Sequence, residues 1–217
     1  TCVNAGCVPK KITFDAASLA HAMDDASGYG FDVTVKGHDW PGFVARRQAY
    51  IQRLNGIYER NLAKKGIDYI AARGRFTDPH TVEAAGRVLT GTHIMVATGG
   101  RPTVPKIPGH ELGLTSDDFF RLTSRPQRVA IAGSGYIAVE FAGALRALGS
   151  DVTLLVRKDS VLRHFDNYLQ DGLLRAMGED GIQFVSQATP SALTRSTEGL
   201  KLSTADGREH GPFDALI

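Results

Sequence analysis

The sequence predicts an α/β fold built from two units, each combining a parallel sheet with an antiparallel meander. Three observations carry this. Residues 128–158 read as strand, glycine turn, helix and strand. Residues 67–97 and 183–217 each alternate short apolar runs with glycine turns. A stretch holding Pro102, Pro105 and Pro108 separates them, and it cannot form a central strand or a helix interior. The division therefore falls between 1–101 and 102–217. The 217 residues are 42% hydrophobic and 22% charged, with a net charge of +2, which is ordinary for a globular protein and argues against a nucleic-acid surface. No apolar run approaches the roughly 18 residues that would span a bilayer. Two cysteines are too few for a secreted disulfide scaffold and suit a reducing compartment such as the cytoplasm. No metal site is expected.

The chain opens TCVNAGCVPKK. On a regular helix Cys2 and Cys7 would lie roughly 8 Å apart, whereas a disulfide needs its Cα atoms within about 7 Å. Pairing would require a break in the helix, which Asn4 and Gly6 permit. Pro9 suits a first helical turn, and Ile12, Ala16, Leu19 and Met23 continue with helical spacing. The helix N-terminus and Lys10 both favour a thiolate at Cys7. The residues leave two readings open: a redox dithiol, or two buried free cysteines acting as small hydrophobes.

Ser27 to Val33 reads as a turn entering a short extended piece. Asp39 can cap a helix from about Pro41 to Lys65, with Val44, Tyr50, Ile51, Leu54, Ile57, Tyr58 and Leu62 on its apolar side and Tyr50 in the core. Gly66 ends it. Ile67 to Phe76 reads as a strand broken at Gly74. Residues 81–100 read as a meander turning at Gly86 and Gly91, whose last strand, His93 to Ala97, runs into Thr98-Gly99-Gly100. Ser116 to Leu122 gives a short helical turn.

Val129 to Ala132 then forms a strand entering Gly133-Ser134-Gly135-Tyr136-Ile137-Ala138. A helix runs to about Leu148, Gly149 stops it, and Val152 to Val156 is the next strand. G-x-G-x-x-A in this setting is a Rossmann-like nucleotide fingerprint. Gly133 allows the tight turn, Gly135 lets the backbone approach a pyrophosphate at the helix N-terminus, and Ala138 permits close packing. NAD sites place an acid about 20 residues past the glycines. Here Arg157, Lys158 and Arg163 stand instead. Guanidinium groups grip a 2′-phosphate, so this pocket is expected to select NADPH. A helix from Asp166, a strand at Ile182–Val185, a hairpin around Asp206-Gly207 and a final strand complete the second unit.

TCVNAGCVPKK resembles the redox-active motif of the flavoprotein disulfide reductases, with the Val-Pro-Lys-Lys ending of their glutathione-reducing branch. Dihydrolipoamide dehydrogenases usually end Ile-Pro-Ser-Lys. Ala97-Thr98-Gly99 resembles the second flavin fingerprint, and VRKDSVLRHFD resembles the NADPH-type members. The resemblance implies a partial FAD domain over 1–101 and an NADPH domain over 102–217, both Rossmann-like. It implies FAD and NADPH as cofactors, glutathione disulfide as substrate, and a homodimer without nucleic-acid or membrane partners. By residue match, Cys2 would attack the substrate disulfide and Cys7 would face the flavin. Lys10 and Glu140 would pair beside it, with Thr1, Gly74, Thr98 and Gly99 touching FAD. Tyr136 would cover the nicotinamide pocket. Ile57, Tyr58 and Asn61 would line the substrate pocket, where trypanothione reductases carry a small polar residue and Met at the first and last of these. The resemblance also implies a piece of a longer protein, because the first flavin fingerprint and the acid–base histidine have no counterpart here. The rival class is a nucleotide-binding module with structural cysteines.

Overall fold

The computed structural model describes residues 2–217. A helical turn, α1 (Cys2–Ala5), ends at Gly6, and α2 (Cys7–Asp25) starts immediately after it. The helix thus breaks between the cysteines, at one of the two residues that would permit it, although the thiols are not paired. Pro9 sits in the first turn of α2 and is buried with Thr13 and Ala17. Leu19, expected on the inner face, is exposed instead. Thr13 can take that face because its hydroxyl donates to the Pro9 carbonyl at 2.7 Å and accepts from Arg47 at 3.0 Å. The next helix, α3 (Trp40–Lys64), starts where Asp39 accepts a bond from Gly42 N at 3.0 Å.

Strands β1 (Arg75–Asp78), β2 (Thr81–Ala84) and β3 (Arg87–Thr90) form an antiparallel sheet. Ala85 and Gly86, both at positive φ, make its two-residue hairpin. A parallel sheet in this half is not found among the described residues. His93–Ala97 is irregular, with Met95 and Val96 exposed, and residues 67–74 form no strand. The apolar pattern is there, but a strand exists only where a neighbour takes its N–H and C=O groups.

The short helix α4 (Ser116–Phe119) carries a capping box in which Asp118 accepts from Thr115 N at 2.9 Å. Strands β4 (Arg128–Ala132), β5 (Asp151–Leu155), β6 (Gln183–Val185) and β10 (Ala215–Leu216) form a parallel sheet in the order β10-β4-β5-β6. Helices α5 (Tyr136–Ala147) and α6 (Asn167–Glu179) are the crossovers. Strands β7 (Pro190–Ser196), β8 (Gly199–Thr204) and β9 (Glu209–Phe213) make a second antiparallel sheet, and the β8–β9 hairpin turns at Asp206-Gly207 as expected. Strand β7 was not foreseen, because Pro190 and polar Thr194 to Ser196 blunt its pattern.

One core gathers Val129 and Ile131 of β4, Val152 and Leu154 of β5, Phe141 and Leu145 of α5, and Phe119 stacked on Phe141 at 3.9 Å. Trp40 of α3 enters that core, and its Nε1 donates to the Leu122 carbonyl at 3.1 Å. Arg47 is buried against Phe43 and Phe120 and donates to the Phe120 carbonyl at 2.9 Å. Helices of the first hundred residues are thus seated on the second half. No helix among the described residues is long and apolar enough to cross a membrane.

Candidate dithiol and nucleotide sites

Cys2 and Cys7 lie on two helical pieces that meet at Gly6, and both thiols are free and exposed. They are not buried hydrophobes. A side-chain hydrogen bond to Cys7 raises the Cys2 thiol above its ordinary value, with minor reinforcement from desolvation. A lowered value was expected at this site. The difference has a local cause: the hydrogen bond favours the protonated form of the Cys2 thiol. Asn55 Nδ2 of α3 donates to Asn4 Oδ1 at 2.8 Å and ties the dithiol turn to that helix. Ile57, Tyr58 and Asn61 follow within two turns of this anchor, Ile57 half-buried and the other two exposed.

Tyr50 is a correction. It is 45% exposed rather than core, and with Cys7, Lys11, Phe43 and Arg46 it lines a hollow of about 530 Å³ between α2 and α3. Its position next to Ile51, which is buried, put it on the edge of the apolar stripe.

Lys10 Nζ bonds Glu140 Oε1 at 3.0 Å, joining α2 to α5. Both side chains are about one-third exposed (35% and 30%), so the pair is only partly screened. The expected partner is found 130 positions away.

At the fingerprint, Gly133 has an ordinary backbone conformation. Its reason is space: a Cβ there would stand 3.2 Å from Ala138 Cβ. The close approach that Ala138 was expected to allow thus also needs the missing Cβ at Gly133. A Cβ on Gly135 would meet nothing within 4 Å, so the open side of this residue faces space a ligand can use. Gly135 caps α5 with no side-chain bond, leaving the first N–H groups of that helix available to an anion. Gly133, Gly135, Tyr136 and Ile137 border a largely apolar, open-sided hollow of about 490 Å³ that the proline-rich stretch also lines. Tyr136 is exposed.

Arg157, Lys158 and Arg163 are exposed on the loop after β5, and among the described residues none pairs with a carboxylate. That loop is seated by buried Val161 and by Leu162 N donating to the Ser134 carbonyl at 2.7 Å, which brings it beside the glycine turn. Uncompensated cations, a glycine cradle and free helix N–H groups fit a phosphorylated dinucleotide.

The flavin-side residues are less gathered. Gly74 is accounted for within the chain, since a Cβ there would lie 3.2 Å from Val82 Cγ1. Thr98 and Gly99 lie exposed in the irregular segment, and Thr1 lies outside the described residues. These residues do not enclose a flavin by themselves. Sequence reasoning missed Arg47 and Gln187, whose partners lie on distant elements and leave no local pattern.

The whole chain, residues 1–217, matches the family model described as pyridine nucleotide-disulphide oxidoreductase. It is 42% identical over 214 residues to the glutathione reductase of Pisum sativum named chloroplastic/mitochondrial, covering 97% of this chain and 39% of the relative. It is 41% identical over 234 residues to the glutathione reductase of Yarrowia lipolytica, covering 100% and 50%. The chain thus spans half or less of the length of these relatives. Among solved structures, the HOCl-induced flavoprotein disulfide reductase RclA from Escherichia coli superimposes with a TM-score of 0.85 at 24% identity, over 100% of this chain and 46% of that one, which speaks for the fold. The chain belongs to the pyridine nucleotide-disulphide oxidoreductase family.

Proposed function

We propose that this chain is the dithiol- and NADPH-bearing part of a reductase that converts glutathione disulfide to two glutathione thiols. The observation that carries the reading is the Lys10–Glu140 bond of 3.0 Å, which links the cysteine-bearing helix to the helix that opens on the glycine fingerprint. The names of the two relatives supply the substrate. NADPH, held at the glycine turn and the basic loop, would supply two electrons as hydride, and the Cys2–Cys7 pair would receive them as a dithiol.

The remaining steps belong to the chain's own residues. Cys2 gives up its thiol proton and attacks one sulfur of glutathione disulfide, forming a mixed disulfide and releasing one glutathione thiolate, which takes up a proton. The Cys7 thiolate then attacks the Cys2 sulfur, restoring the internal disulfide and releasing the second glutathione. Ile57, Tyr58 and Asn61 orient the substrate. Arg157, Lys158 and Arg163 hold the 2′-phosphate, and residues 133–138 hold the pyrophosphate. Thr1, Gly74, Thr98, Gly99 and Lys10 would lie against FAD without enclosing it.

We keep the division into an FAD-side part, 1–101, and an NADPH-side part, 102–217, together with a homodimer in the cytoplasm. The name of the pea relative points to organelles instead.

The test is absorbance of the intact protein during titration with NADPH and then NADH. A long-wavelength band with NADPH that disappears in Cys7→Ser supports the reading. Flavin reduction without the band removes the dithiol from the electron path, and an equal response to NADH removes the 2′-phosphate assignment.

A further inference from the structure

We propose that Gln187 is a positioning residue for the nucleotide 2′-phosphate, acting by holding the Asp159 carboxylate away from Arg157, Lys158 and Arg163. This rests on the NADPH reading above. Asp159 is the sole carboxylate within 157–163 and follows two of the cations directly. Free to swing, it could pair with them or repel a phosphate, and it could accept ribose hydroxyls as the acid of an NAD site does. In the structure it is engaged elsewhere. Gln187 Nε2 donates to Asp159 Oδ1 at 2.7 Å, and Gln187 N donates to the Lys158 carbonyl at 3.3 Å.

The turn that presents Gln187 is fixed from several sides. Gln187 has φ of 54°, a left-handed conformation that a residue with a Cβ adopts only when its surroundings impose it. Arg208 Nη2 donates to the carbonyls of Ser186 at 3.0 Å and Gln187 at 3.2 Å, while its Nε bonds Asp206 at 2.6 Å. Ala188 is buried, and its N–H bonds the Val156 carbonyl at 2.8 Å. The second antiparallel sheet therefore braces a neutral amide donor against the one acid of the phosphate loop. A neutral donor is the suitable partner, because it occupies the carboxylate without drawing on the three cations.

The experiment compares NADPH and NADH dissociation constants by calorimetry on the intact protein, first reduced with dithionite so that neither nucleotide is oxidised, in wild type, Gln187→Leu, Asp159→Asn and the double variant. Gln187→Leu keeps the bulk and removes the donor. Its NADPH-over-NADH preference is expected to fall about five-fold, the worth of about one hydrogen bond, with NADH binding unchanged or tighter. Adding Asp159→Asn is expected to restore the preference, and Asp159→Asn alone to keep or raise it. An unchanged ratio in Gln187→Leu, equal weakening of both nucleotides, or a fall in Asp159→Asn alone overturns the proposal. A wild type without preference for NADPH overturns the underlying reading as well, whereas a wild-type preference that survives Gln187→Leu overturns only the role of Gln187.

Discussion

The two halves of this molecule satisfy their apolar residues in different ways. Residues 102–217 close on themselves: four parallel strands, two crossover helices and a three-stranded sheet bury Val129, Leu145, Leu154 and Leu202 almost completely. Residues 2–101 keep Tyr29, Phe31, Tyr69, Met95 and Val96 exposed, and their buried apolar side chains are few, chiefly Pro9, Ala17, Trp40, Ile51 and Ala84. The first half has long helices but, among the described residues, no parallel sheet, and its helices lean on the second half through Trp40, Arg47 and Lys10. A helix satisfies its own backbone and needs only one surface to lie on. A strand needs a neighbour on the chain or it remains irregular.

The sharpest test of this contrast is a pair of truncations in the 1–217 chain, followed by urea unfolding. Leu154→Ala, in the closed half, is expected to cost about 3 kcal/mol, whereas Met95→Ala should stay within about 0.5 kcal/mol. Similar costs at the two positions would break the comparison. The seam between the halves comes next. A double-mutant cycle of Lys10→Met and Glu140→Gln is expected to give a coupling below about 1 kcal/mol, because both groups are partly wet. A coupling several times larger would make this bond, and not Trp40, the main tie between halves.

The dithiol offers a smaller, pH-resolved effect. The hydrogen bond to Cys7 raises the Cys2 thiol, so Cys7→Ala is expected to move the midpoint of Cys2 alkylation by iodoacetamide to lower pH. A midpoint that stays or rises removes that hydrogen bond as the cause. Smallest is Asp206, which anchors the Arg208 brace. Bonds from Thr204 and then Arg208 hold its carboxyl down to about 2 from an ordinary 3.8. A depressed carboxyl stabilises the fold above 3.8 and loses that contribution as pH falls through about 2. Melting temperatures of wild type and Asp206→Asn should therefore differ slightly at neutral pH and converge near pH 2.

How far the residues alone led depended on distance along the chain. Both long helices, the Asp39 cap, the Gly66 stop, the strand–turn–helix–strand around Gly133 and the Asp206-Gly207 hairpin follow from periodicity and turn chemistry within about twenty residues. His93–Ala97 carries the same kind of pattern and yet is no strand. Tyr50 fell at the rim of an apolar stripe, where one helical position separates a buried side chain from one lining a hollow.

By itself, then, the sequence determined the long helices, the nucleotide fingerprint and the basic loop after β5, because each depends on neighbours a few residues away. Tertiary structure alone decided that Lys10 meets Glu140, that Arg47 is buried against Thr13 and the Phe120 carbonyl, that Gly133 is small for the sake of Ala138, and that Gln187 reaches Asp159. The reason is physical: hydrogen bonds and close contacts between distant segments are set by how sheets and helices pack, and nothing in the local pattern of either partner records the other.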